Sequence, residues 1–124
     1  MTPVVIDASA LAALLFQEPG FERVATRLRA AAVHAPVLLK FELTNVALMK
    51  ARRTPGLAPA LFTMLAESIG QRSDILWHDV DAVDVALVAK ATGLSAYDAS
   101  YLWLAGALGA DLVTLDKKLA AAIE

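Results

Sequence analysis

Of the thirteen acidic residues in this 124-residue chain, four occupy one kind of position. Asp7 closes "VVID", Glu42 lies early in "LKFELTNVALMKARR", Asp98 sits in the first turn of "SAYDASYLWLAGAL", and Asp116 follows "DLVTL". Each falls where a predicted strand ends or a predicted helix begins. Steps of 35, 56 and 18 positions separate them, so only a tertiary fold can bring them together. Two carboxylates about 4 Å apart at an effective dielectric of about 20 repel by about 4 kcal/mol. A crowd of them must take up protons or hold a cation. Mg²⁺ suits a few carboxylates plus water and phosphate, and Mn²⁺ accepts the same oxygen ligands. Such an ion lowers the pKa of a bound water and bridges to a phosphodiester oxygen. That is nuclease chemistry, and it needs no protein nucleophile.

Taken one at a time, the acids have simpler explanations. Asp7 and Asp116 suit helix N-caps, and Ser95 with Asp98 forms a capping box at the positive end of a helix. Glu42 suits the surface of an amphipathic helix. These explanations are weakest for Asp7, whose carboxyl would end a buried central strand. Ser9, Asn45 and Thr114 stand two or three positions from the acids and could orient carboxylates or waters, although such residues also cap helices and line turns everywhere. A second acidic cluster, Asp79, Asp81 and Asp84, reads as a cap and a solvated face. The chain has no cysteine, and its two histidines, His34 and His78, are far from any zinc-ligand spacing and read as structural.

The elements that must position the acids alternate. "VVID" is a β-branched run without polar alternation, the pattern of a strand covered on both faces. "ASALAALLFQ" reads as a helix stopped by Pro19 and Gly20. A second helix is expected from Phe21 to Ala32, with Phe21, Val24 and Leu28 facing inward. "VHA" is a weak strand before Pro36. Helices over "LKFELTNVALMKARR" and "LAPALFTMLAESIG" flank the break at Thr54-Pro55-Gly56. Then come the strand "DILW", a helix ending at Gly93, the helix carrying Asp98, the strand "DLVTL" and a last short helix. The Asp98 helix is greasy on nearly every side and is expected to be buried. Strands alternating with helices predict a parallel sheet with helices on both faces. In such a fold the strand C-termini and the following helix N-termini share one edge, where ligands bind.

The length predicts one domain over residues 1–124. Apolar residues make up 58% of the chain and mean hydropathy is +0.57, which suggests greasy surface covered by a partner or a second copy. No apolar run approaches the roughly 20 residues of a membrane span. No basic segment precedes an apolar one at the N-terminus, so a secretory signal is not expected and the cytoplasm is. Net charge is −2, so no overall basic field attracts nucleic acid. Arg23, Arg27 and Arg29 read as a solvated helix face, and Lys50, Arg52 and Arg53 suit a helix C-terminus.

"VVIDASALAALLF", "APVLLKFELTNVALMKARR" and "GLSAYDASYLWLAGALGADLVTLDKKL" together resemble the PIN-domain family, and most closely its VapC toxin branch. The resemblance spans nearly the whole chain in order, and its last segment is the most specific. It implies a three-layer α/β/α fold around a mostly parallel sheet of four or five short strands. It implies metal-dependent cleavage of RNA by activated water, with Mg²⁺ or Mn²⁺ held by Asp7, Glu42, Asp98 and Asp116 and with Ser9, Asn45 and Thr114 in support. It also implies a homodimer and a VapB-like antitoxin partner in a type II toxin–antitoxin pair. Lys40, Arg52, Arg53, Lys117 and Lys118 are candidates for contacting RNA. Two other readings compete: a non-catalytic binding module on the same fold, and a receiver-like phosphoacceptor domain. The second fits poorly, because Asp7 stands alone and Asp74 precedes its strand.

Overall fold

The computed structural model describes residues 1–123. Strand β1 (Thr2–Ile6) runs through the centre, with Val5 and Ile6 wholly buried. Each such side chain contributes about 1.5–3 kcal/mol on burial, which is what draws this β-branched run inside. Helix α1 (Ala8–Phe16) follows and ends at Gln17 in the left-handed region, just ahead of the expected Pro19-Gly20 stop. Helix α2 (Phe21–Leu28) is four residues shorter than its sequence suggests. Ala31 and Ala32 belong instead to β2 (Ala31–Pro36), paired in parallel with Thr2 and Pro3 of β1. Alanine's helix propensity is a few tenths of a kcal/mol per residue, and ladder bonds plus burial of Ala31 and Ala35 outweigh it. The remaining elements are α3 (Leu38–Arg53), a 3-10 turn (Pro55–Leu57), α4 (Ala58–Ile69), β3 (Leu76–His78), α5 (Ala82–Thr92), α6 (Ala96–Leu108), β4 (Asp111–Val113) and α7 (Lys117–Ile123).

Among the described residues the four strands form one parallel sheet in the order β3-β2-β1-β4. Right-handed crossovers send α1 to α4 to one face, because β1, β2 and β3 step in one direction. The connection from β3 to β4 steps back across the sheet and carries α5 and α6 to the other face. Packing agrees: α1 touches α2 and α3, α3 touches α4, and α6 touches α5, α7 and three of the strands. This is the expected three-layer α/β fold. The order reverses between β1 and β4, and that is where such sheets open a ligand crevice beyond their strand ends. Receiver-like sheets follow the order 2-1-3-4-5, so the topology removes that reading.

Helix α6 departs from its expected all-round burial. Ala99, Ser100, Tyr101, Leu104 and Ala105 face the core, while Gly106 and Ala107 form an exposed stripe and Tyr97 is 63% exposed. The stripe is apolar but small, so leaving it in water costs little. Asp81 caps α5, accepting from the N–H groups of Val83 and Asp84 at 3.0 Å each, and Asp79 and Asp84 are exposed as expected. Among the described residues no helix is long and apolar enough to cross a membrane.

His34 and His78 meet across β2 and β3, with Nδ1 and Nε2 2.7 Å apart. One ring must donate and the other accept, so at least one is neutral. Burial, and then the neighbouring imidazole, hold His34 below its ordinary 6.5. The unfolded chain therefore takes up this proton before the folded protein does, and stability present above pH 6.5 is lost as pH falls. In urea titrations at about pH 7.5 and about pH 5.5, His34→Gln should lose less stability on acidification than the parent. Equal losses would show that His34 does not titrate in this way.

Candidate active site

Asp7 is the residue on which the sheet edge is assembled. Its N–H donates to the Val113 carbonyl at 3.2 Å, carrying the β1–β4 ladder one step past the strand. Its side chain then turns back to cap α1. Oδ1 accepts from the Ala10 N–H at 2.9 Å and from the Ser9 hydroxyl at 2.8 Å, while Oδ2 accepts from the Thr114 hydroxyl. Ser9 Oγ also accepts from the Leu115 N–H, and Thr114 Oγ1 from the Asp116 N–H, both at 3.0 Å. Two hydroxyls thus tie the start of α1 to the turn after β4. That turn delivers Asp116, whose Oδ1 caps α7 through the Leu119 N–H at 3.0 Å.

Glu42 and Asp98 arrive from opposite layers. Glu42 lies in the second turn of α3 and accepts from the hydroxyl of Tyr101 on α6. Tyr101 is 1% exposed, so its phenol has no water to turn to, and Glu42 is its partner. Asp98 occupies the third position of α6, its N–H donating to Ser95 Oγ at 3.1 Å. The predicted cap and the predicted acid are both present.

The four carboxyls form a connected electrostatic chain. Asp7 is raised above the usual carboxylate range by burial first, with the charge of Asp116 adding to it. The hydrogen bonds from Thr114, Ala10 and Ser9 pull the other way. Burial raises Glu42, with Asp98 and Asp7 adding to it and the Tyr101 bond opposing. Burial also raises Asp98, helped by Asp116, while Lys118 and Ser95 lower it. Tyr101 is driven well above the ordinary phenol range by burial and by Glu42, so it stays a donor.

The donor set is made of hard oxygens alone, which suits Mg²⁺ or Mn²⁺. Among the described residues, however, no three Asp, Glu, His or Cys side chains converge closely enough to hold one ion. The acids are electrostatic neighbours and not a closed cage. That arrangement fits an ion that keeps several waters and takes few protein ligands. Of the supporting residues, Ser9 and Thr114 touch Asp7 as described. Asn45 points to solvent and makes no side-chain hydrogen bond among the described residues. Tyr101 went unrecognised in the sequence, where it reads as one more core aromatic. Its place three residues after Asp98, on the same helical face, was the available signal.

A family model described as "PIN domain" matches residues 4–123. The chain is 32% identical over 120 residues to a protein of Pyrobaculum aerophilum named Ribonuclease VapC3, covering 94% of this chain and 92% of that protein. Its fold is similar to the crystal structure of PAE2754 from Pyrobaculum aerophilum, with a TM-score of 0.77 and 28% identity, over 98% of this chain and 84% of that one. It is also similar to VapC20 of Mycobacterium tuberculosis, described as a sarcin-ricin loop cleaving toxin, with a TM-score of 0.67 and 18% identity, over 96% and 94% of the two chains.

A carboxyl whose folded pKa is raised opposes folding above that pKa, so crowding these acids costs stability at neutral pH when no cation offsets them. In chelator, Glu42→Gln should therefore melt above the parent, since the amide oxygen can still accept from Tyr101. Tyr101→Phe leaves a part-buried acceptor unpaired and should lose about 1–3 kcal/mol. Scanning calorimetry that moved both melting temperatures downward would contradict this account of the site.

Proposed function

The chain belongs to the PIN-domain family, in its VapC branch, and on that premise we propose that it is a divalent-cation-dependent endoribonuclease, the toxin of a toxin–antitoxin pair. The observation that carries this reading is the coupling of Asp7, Glu42, Asp98 and Asp116 at the point where strand order reverses. A site without chemistry has no use for like charges that oppose folding. Mg²⁺ or Mn²⁺ held there supplies a lowered water pKa and positive charge opposite a phosphodiester.

The chain's own groups prepare that site. Ser9, Thr114 and the Ala10 N–H fix both oxygens of Asp7, so little freedom is left to lose when an ion binds. Tyr101 holds Glu42 and ties α3 to α6. The first turn of α6 helps keep Asp98 ionised, through Ser95 and the helix dipole. Lys118 acts on Asp98 in the same sense. Exposed Phe41, Phe62 and Val83 support the two protein interfaces that this reading brings, one with a VapB-like antitoxin and one with a second copy. The proposed setting is the cytoplasm, where RNA is at hand.

Purified protein should cut RNA with Mg²⁺ or Mn²⁺ and stop in chelator. Asp7→Asn and Asp98→Asn should abolish cutting. Thr114→Val, which frees one oxygen of Asp7, should weaken metal affinity by about 10–100-fold. Cleavage that survives chelation, or persists in both Asn variants, removes the metal-dependent reading.

A further inference from the structure

A groove along the open edge of β4 has at one end Thr114, the hydrogen-bond partner of Asp7. β4 is an outer strand, paired only with β1. One wall of the groove is α2, which contributes Arg23 and Arg27, and its floor next to the site is Val113, Thr114 and Leu115. Arg27 also borders the continuing hollow beside Asp111 and Leu112, walled on the far side by α6 and α7. The near end of this groove is therefore Thr114, the residue whose hydroxyl holds Asp7.

Gly20 sets how closely α2 approaches. At φ 95 it adopts a backbone that L side chains rarely take, and a Cβ there would stand 2.9 Å from Leu115 Cδ1. Arg23 Nη2 lies 3.6 Å from that same point, so its guanidinium sits beside Leu115, one residue before Asp116. Arg23 and Arg27 are both exposed and one helical turn apart, about 6 Å along the axis. Among the described residues neither guanidinium is ion-paired, although Glu22 and Asp111 flank the track. Two other cations are committed elsewhere: Lys50 pairs with Glu18 at 2.7 Å, and Lys40 lies over the Trp77 ring.

We infer that Arg23 and Arg27 bind successive phosphates of a single-stranded RNA running along the β4 edge into the acidic pocket. This rests on the ribonuclease reading and adds where the substrate enters. An acidic pocket repels a polyanion, so binding must come from cations beside it that leave the ion site clear. Guanidinium groups suit this because their planar forks pair with phosphate. A peptide strand added to the same edge is disfavoured. β4 has three residues, and just beyond it the N–H groups of Leu115 and Asp116 are already taken by Ser9 and Thr114.

The test uses the full chain at fixed Mg²⁺ with a single-stranded RNA that the parent cuts. Arg23→Ala/Arg27→Ala should raise KM about tenfold and leave kcat within about twofold, since phosphate contacts of this kind position substrate. The slope of log KM against log KCl should fall by about 1.4, at about 0.7 per lost contact on a single strand. Arg23→Lys/Arg27→Lys should keep most of the slope, and Arg72→Ala, which removes one charge before β3, should move neither constant. Unchanged KM and slope in the double Ala variant, or an equal effect from Arg72→Ala, overturns the inference while the parent still cuts. Unmoved RNA constants with lost binding of a glutamate-rich peptide would give the pair to a protein partner instead, and also overturn it. A parent that cuts no RNA defeats the ribonuclease reading, and this inference falls with it.

Discussion

A carboxylate buried at the end of a central strand must be paired, protonated or supplied with a cation, and the rest of this molecule is arranged around that constraint. Burial pushes Asp7 toward its neutral form, while two hydroxyls and an N–H hold it toward the charged one. A hydrogen bond to a charged group contributes about 1.5–3 kcal/mol, comparable with the repulsion of a near carboxylate at an effective dielectric of about 20. Neither side wins by a wide margin. The same balance recurs at Glu42, where Tyr101 opposes burial, and at Asp98, where Ser95 and Lys118 do. A site held near such a balance responds strongly to one added positive charge.

Topology explains why these four acids are electrostatic neighbours. The reversal of strand order between β1 and β4 parts the layers at one end of the sheet, and Asp7 and Asp116 sit on its two sides. Glu42 enters from the α3 layer and Asp98 from the α6 layer, joined by the Tyr101 bond. The hydroxyls of Ser9 and Thr114 bridge residues more than a hundred positions apart, so the site and the β1–β4 pairing hold together or fail together. Fold stability and site geometry are here one set of interactions.

The parts of this readable in the sequence were those with a local physical cause. β-branched runs, caps and the Gly93 and Gly109 stops mark the strands and helices, and Asp7, Asp98 and Asp116 sit at element boundaries where local rules place them, while Glu42 lies in the second turn of α3. Ser9 and Thr114 stand out in the sequence by their spacing to Asp7 and Asp116, but bonds they make join positions more than a hundred apart. What was misread depends on long-range contacts. Ala31 and Ala32 belong to a strand because β1 lies beside them. Tyr101 is a polar partner because Glu42 comes to it from another layer. Arg23 and Arg27 read as a solvated face and are exposed, while the packing of Leu115 near Gly20, which sets that face beside the turn before Asp116, is a long-range contact.

The central claim is that carboxyls far apart in sequence serve one cation at this edge. The most direct measurement is anomalous scattering from crystals of the protein grown with Mn²⁺. The account predicts a manganese peak at the β1–β4 end of the sheet, within the group formed by Asp7, Glu42, Asp98 and Asp116. A peak elsewhere on the molecule, with these four side chains bare at saturating Mn²⁺, would contradict it.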